Sequence, residues 1–267
     1  MSRTPAADLL RSELVKVLTT RLWWGLLVGV AVYAAVSAGV TAGFAGVDPG
    51  AGQPAAPGLD SPDALRGVYA GSAFSGAYVF ALVLGVTGMT GEFRYQTATP
   101  TFLATPRRSR VVLAKAAAHL AVGAAYGVCG VVLAFLVGGV VVAARGYDLG
   151  LGAPGLWRAV ALAVLAVALW TLLGLGVGTL VRNQVAAILT AVGIAFLLEP
   201  LLALGLSALD LDVVGKLLPS SASSAMTSPP SLVTDLLPWW GGALVMIAYA
   251  VAFAGLGVAA SVRRDVT

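Results

Sequence analysis

Long apolar runs separated by short polar gaps organise this chain. Six runs, Leu22–Val47, Val68–Thr90, Val111–Ala144, Leu156–Val181, Val185–Leu209 and Trp239–Val262, each offer the roughly 20 apolar residues that a bilayer-spanning helix needs. They are far longer than a membrane β-strand and lack its period-two alternation. The pattern predicts an all-α membrane protein with six transmembrane helices and a single transmembrane domain over residues 1–267. Every polar gap is shorter than about 30 residues, too short for a separate soluble domain. The first run follows Asp8 and Glu13 and exceeds the 7–15-residue core of a signal peptide, so it reads as a retained span. Glycines recur inside the runs, as at Gly174, Gly176 and Gly178 or Gly255 and Gly257. In lipid they let helices pack closely; a hinge or a substrate path is the alternative reading.

Composition agrees with the pattern. The chain is 59% hydrophobic and 10% charged, whereas a soluble domain carries about 25% charged residues. The net charge of +4 would suit nucleic acid in a soluble protein. Here the basic residues occupy the gaps between runs, where they act as topology signals, and nucleic acid is excluded as a partner. With the N-terminus inside, Arg3, Arg11, Lys16, Arg21, Arg94, Arg107, Arg108, Arg110, Lys115, Arg182, Arg263 and Arg264 are cytoplasmic. Only Arg66, Arg145, Arg158 and Lys216 of the 16 basic residues fall outside. The positive-inside rule therefore predicts a multi-pass protein of the cell membrane with both termini cytoplasmic.

The gaps differ in character. Residues 8–21 place Leu9, Leu10, Leu14, Val17 and Leu18 on one half of a helical wheel, interrupted by Glu13 and Arg21, with Lys16 on the other half. This predicts an amphipathic helix on the inner membrane surface; a helical extension of the first span is the alternative. The outer loop Asp48–Gly67 is rich in Gly, Pro and Ala and predicts turns. The outer segment 210–238 holds the short apolar pieces Val213–Leu218 and Leu232–Leu237, broken by Pro219, Pro229 and Pro230, which predict short re-entrant helices. Trp23 and Trp24, and Trp239 and Trp240, mark the two interfaces.

Three features bear on chemistry. The inner loop Gly91–Lys115 is the most polar one, with Thr99–Pro100 suited to a helix start through Phe102 and Leu103, and with Arg107, Arg108 and Arg110 before span three. Those arginines either fix topology and bind anionic head groups or dock a cytoplasmic partner. Glu199, followed by Pro200, is an ionisable group inside a span about 22 Å from its cytoplasmic end. It reads as gate-lining, substrate-contacting or proton-coupled, with Pro200 breaking the helix. His119, the one histidine, and Cys129, the one cysteine, have no metal-site spacing around them and read as core. No lysine completes GxxxxGK[ST], and neither a GxSxG elbow nor a kinase signature occurs, so no catalytic residue, metal site or cofactor is predicted.

Gly91-Glu92-Phe93-Arg94 with Thr97, then Leu103, Thr105-Pro106-Arg107-Arg108 and Lys115, resembles the loop after span two in the membrane subunits of ABC-2-type ABC transporters, especially actinobacterial permeases. Glu13-Leu14-Val15-Lys16 with Thr19-Thr20-Arg21, and the six-span plan, are similar too. Gln96 stands where many members carry glycine. The resemblance implies a permease subunit of an ATP-driven exporter that moves drugs, antibiotics, lipids or glycans. It implies cytoplasmic ABC ATPase subunits that hold the ATP and Mg, a second permease copy in a homo- or heterodimer, and contact with membrane lipid. Glu92, Arg94, Thr97, Thr101, Leu103, Arg107 and Arg108 would form an ATPase-coupling loop over 91–110. Glu13, Lys16 and Arg21 would sit on the interfacial helix, Glu199 and Pro200 in a gate or path, and segment 210–238 would cap that path. An ion-coupled secondary transporter using Glu199, and an accessory membrane protein without transport, are the other readings.

Overall fold

The computed structural model describes residues 6–48, 56–95, 108–181, 183–228 and 236–263, with backbone only at 108 and 257–263. Among these residues the chain is helical throughout its regular structure, without strands. The helices are α1 (Ala6–Leu18), α2 (Leu22–Phe44), α3 (Pro62–Arg94), α4 (Arg108–Ala144), α5 (Leu156–Leu180), α6 (Gln184–Ala208), α7 (Asp212–Gly215), α8 (Pro219–Thr227) and α9 (Trp239–Arg263). Six of them, α2 to α6 and α9, are long and apolar enough to cross a membrane. The expected Val68–Thr90 run is longer in the structure because the helix starts in polar sequence. Ser61 caps it by accepting from the Ala64 N–H at 3.2 Å, and Pro62 occupies its first turn. The 37 residues of α4 reach about 55 Å at 1.5 Å per residue. That exceeds the roughly 30 Å hydrocarbon core, so one end of α4 extends past it.

α3 and α5 form the centre of the bundle: 61% and 67% of their most apolar windows are buried, against 22% for α2, α6 and α9. Glycine makes their approach possible. A Cβ on Gly85 would overlap the Thr171 carbonyl oxygen, and one on Gly174 would overlap that of Leu82. The backbones therefore touch, as the packing reading of Gly174 expects. Around this pair the apolar faces of α2, α6 and α9 look outward, with Val32, Val36, Leu189, Leu204 and Val251 exposed. In a bilayer such faces meet acyl chains.

Two local departures matter for the site. α1 does not run on into α2. Thr19 and Thr20 turn their hydroxyls back onto the Val15 and Val17 carbonyls, and the Trp23 indole N–H donates to the Leu18 carbonyl at 2.8 Å. These bonds satisfy the end of α1 and free the chain to change direction. In α6, Pro200 does not break the span. A π-helical turn at Ile194–Leu198 precedes it, and the wider turn accommodates the ring that would clash with the carbonyl four residues back. Pro219, expected as a breaker, opens α8, which buries Ala222 and Ser223 against its neighbours. The Trp170 indole donates to Ser223 Oγ at 2.8 Å.

Candidate functional site

Four charged side chains from three helices meet at one end of the bundle. Glu13 and Lys16 lie one turn apart on α1, Glu92 lies in the last turn of α3, and Lys115 lies two turns into α4. Lys115 Nζ donates to Glu13 Oε2 at 2.5 Å and pairs with Glu92 Oε1 at 2.8 Å. Lys16 Nζ donates to Glu13 Oε1 at 2.5 Å and to Glu92 Oε1 at 3.2 Å. Each carboxylate thus faces both ammonium groups, and the set is neutral. Glu13, Glu92 and Lys115 are buried, with side chains 3%, 6% and 5% exposed, while Lys16 at 38% forms the wet edge.

The residue that interrupts the apolar half of α1 is therefore its anchor. Glu13 and Val17, one turn apart, are the two buried residues of α1, and Glu13 reaches across to α4. Burial pushes the Glu13 carboxyl up. The charge of Lys115, and hydrogen bonds from Lys115 and Lys16, outweigh burial and hold it below the ordinary carboxylate range. For Lys16 burial works downward, and the bonds and charges of Glu13 and Glu92 outweigh it, raising the ammonium above its ordinary value. Both shifts favour the charged forms that make the pairs.

The quartet forms one wall of a cavity of about 360 Å³, lined by α1, the turn after it, the start of α2, α3 with Tyr95, α4 and the start of α6. Leu22 and Leu84 give it apolar walls; Thr19, Thr20, Thr87, Glu92, Lys115, His119 and Gln184 give it polar ones. His119 sits one turn beyond Lys115 on α4 and is 1% exposed. Its Nδ1 lies 2.9 Å from the Lys115 carbonyl, and its buried Nε2 has no partner. Gly88 on α3 leaves room for the ring, since a Cβ there would overlap Nε2. The burial of His119 fits the reading of it as core, with Nε2 set against the Gly88 backbone and without a hydrogen-bond partner.

The remaining expected residues divide. Arg94 closes α3 and donates to Gln184 Oε1 at 3.2 Å, joining α3 to α6. Arg21 is exposed in the turn between α1 and α2, away from the quartet's bonds. Thr97, Thr101, Leu103 and Arg107 lie outside the described residues, as does the expected helix at Thr99–Leu103; Arg108 begins α4, described by its backbone. Glu199 and Pro200 belong to a different region. Glu199 is buried, and its Oε2 accepts the Ser220 N–H at 2.8 Å in the first turn of α8. A carboxylate there satisfies an orphan N–H and suits the positive end of the helix, so Glu199 holds α8 to α6. Lys115 and His119 were the residues missed as a site. Their signal was an i, i+4 polar pair on one face of an otherwise apolar run. Among the described residues no group of three or more His, Cys, Asp or Glu side chains is placed to hold a metal.

A scan against protein-family models and a search of curated proteins return no match to this chain.

Proposed function

We propose that this chain is the membrane-spanning permease subunit of an ATP-driven ABC exporter. It would move a hydrophobic or amphipathic compound out of the cytoplasm while a separate subunit binds ATP and Mg and hydrolyses the nucleotide. The observation that carries the reading is the Glu13–Lys16–Glu92–Lys115 quartet. It ties α1 to the two helix ends, Arg94 and Arg108, between which the loop resembling the ABC-2 coupling element runs. A force applied to that loop reaches α1, α3 and α4 together, and α3 continues into the centre of the bundle. An exporter driven by an external motor needs such a connection.

In this reading α1 lies in the inner interface of the cell membrane and both termini are cytoplasmic, as the distribution of basic residues favours. α7, which overlaps the expected Val213–Leu218 piece, and α8 would cap the outer end of the path, with Glu199 bracing α8; most of the expected Leu232–Leu237 piece lies outside the described residues. The outward apolar faces serve lipid and a second permease copy, in a homo- or heterodimer. The chain itself is not an enzyme. The test is affinity purification from membranes of the native host into nanodiscs, with nucleotide hydrolysis assayed. Vanadate-sensitive hydrolysis by a stoichiometric ABC ATPase is expected. A folded, monodisperse chain that transports with no ATPase bound overturns the proposal.

A further inference from the structure

α6 divides into two halves with different surroundings. The inner half, Gln184–Gly193, buries Ala187 and Ala191, and Arg94 at the end of α3 donates to Gln184 at its start, so it is tied to α3. Beyond the π turn the picture changes. None of residues 200–218 is buried. Leu201, Leu204 and Leu209 are exposed, as are Val213 and Val214 of α7, and a Cβ added at Gly205 would meet nothing within 4 Å. The two pieces stay together. Asp210 turns the chain back with φ at +56°, and the Leu211 N–H donates to the Leu206 carbonyl at 2.8 Å. Residues 200–218 are thus an apolar hairpin with little of the bundle packed against it. Its base is where the helix ladder is weakest. In the π turn the Glu199 N–H donates to the Ile194 carbonyl five residues back, and Pro200 beside it has no N–H to donate.

We infer that residues 200–218 form a hinged arm that pivots at Ile194–Pro200, with the Glu199–Ser220 hydrogen bond as its brace. Two contacts set the angle at the pivot: the Ser220 N–H on Glu199 Oε2 at 2.8 Å, and the Phe196 ring stacked on Tyr78 of α3 with centroids 5.9 Å apart. The brace has a firm footing. α8 is held in the bundle by the bond from Trp170 to Ser223, and its Ala222 carbonyl lies close against Gly242 of α9. A soft turn between two rigid pieces, held by one hydrogen bond and one ring contact, is released at modest cost. On the exporter reading, the inner half of α6 follows α3 and the swing of the arm opens the outer end of the path. The pivot is a property of the chain alone and needs no ATPase or cargo, so it stands or falls separately from that reading.

Double electron–electron resonance on the full chain in nanodiscs tests this. In a Cys129→Ala background, Leu204→Cys and Leu244→Cys carry nitroxides on the arm and on α9, while Leu189→Cys and Leu113→Cys carry a control pair on the inner half of α6 and on α4; all four positions are exposed. The parent should give one dominant distance for each pair. Glu199→Ala should populate a second arm distance about tenfold more than the parent does, the effect of one lost hydrogen bond, while Glu199→Gln keeps an acceptor and should match the parent. Pro200→Ala returns an N–H to the ladder and should reduce the second population in the Glu199→Ala background. Phe196→Leu removes only the ring contact at an exposed position, and it should shift the arm in the same direction should Glu199→Ala prove unstable. The control pair should keep its distance throughout. One unchanged arm distance in both Glu199→Ala and Phe196→Leu, or equal broadening of the arm and control pairs, overturns the inference.

Discussion

Lys115→Met removes one of four charges from a neutral buried set and keeps most of the side-chain volume. Two carboxylates then share Lys16 alone, and Lys16 is the exposed member. A pair of unit charges about 4 Å apart is worth about 4 kcal/mol at an effective dielectric constant of 20. Lys115 makes two such pairs, at 2.5 and 2.8 Å between N and O. Most of that attraction is offset by the desolvation of the lysine, which the variant no longer has to supply. The expected net loss is about 3–5 kcal/mol, the usual cost of leaving a buried charge without its partner. Lys16→Met should cost about 1 kcal/mol or less, because water screens its pairs. The sharper expectation concerns the double variant. Glu13→Gln restores neutrality to Lys115→Met, so the two together should be less destabilised than the sum of the singles by about 1–3 kcal/mol. Unfolding by a denaturing detergent titrated into matched mixed micelles, followed by tryptophan fluorescence, reads all four variants against the parent. Additive losses, or Lys115→Met and Lys16→Met at equal cost, would show that the quartet does not act as one charge-balanced unit.

Other consequences are smaller in scope. The Glu13 carboxyl is depressed, so its contribution is complete above the unfolded value of 4.5 and is lost as pH falls through the lower folded value; the Lys16 contribution is complete below 10.5 and is lost as pH rises through the higher folded value. Fluorescence of Trp23, which bonds the end of α1, should be flat between those limits, change in acid, and lose much of the acid change in Glu13→Gln. Gly85→Val should cost about 3 kcal/mol or more by driving α3 from α5, whereas Gly205→Ala, with open space around it, should stay within about 0.5 kcal/mol of the parent in the same unfolding assay. Glu199→Gln keeps an acceptor for the Ser220 N–H and should retain transport, while Glu199→Ala leaves that N–H unpaired and should lower the melting temperature by the equivalent of about 1–3 kcal/mol. Loss of transport in Glu199→Gln with stability unchanged would instead favour the ion-coupled reading.

The spans were legible because membrane crossing imposes a length and an apolarity that six runs satisfy independently. Their ends were less so. The start of α3 depends on Ser61 and Pro62, which lie in sequence that reads as turn. Long-range pairing was the least legible. Glu13 is 79 positions from Glu92 and 102 from Lys115, and a helical wheel records it as a flaw in the apolar face, since a wheel has no place for a lysine on another helix. Lys115 drew notice as a topology signal and through the family resemblance, not as a partner for Glu13. Glu199 was recognisable as an anomaly, and its partner was not: a backbone N–H carries no sequence signature, and Pro219 looked like an interruption where a helix begins. Gly174 fared better, because small residues in a span have one dominant use, close packing, and α5 uses it so.

The proposal that the chain couples export to ATP hydrolysis on one membrane face is tested most directly in proteoliposomes of the chain with its co-purified partner. A panel of fluorescent amphipaths would be supplied with ATP alone or with an ion gradient alone, and orientation set by a protease site placed before α1. Accumulation should require ATP on the face that bears α1 and the Arg94 end of α3, stop with vanadate, and ignore the gradient. Accumulation driven by the gradient without nucleotide, or by ATP supplied only at the opposite face, would contradict it.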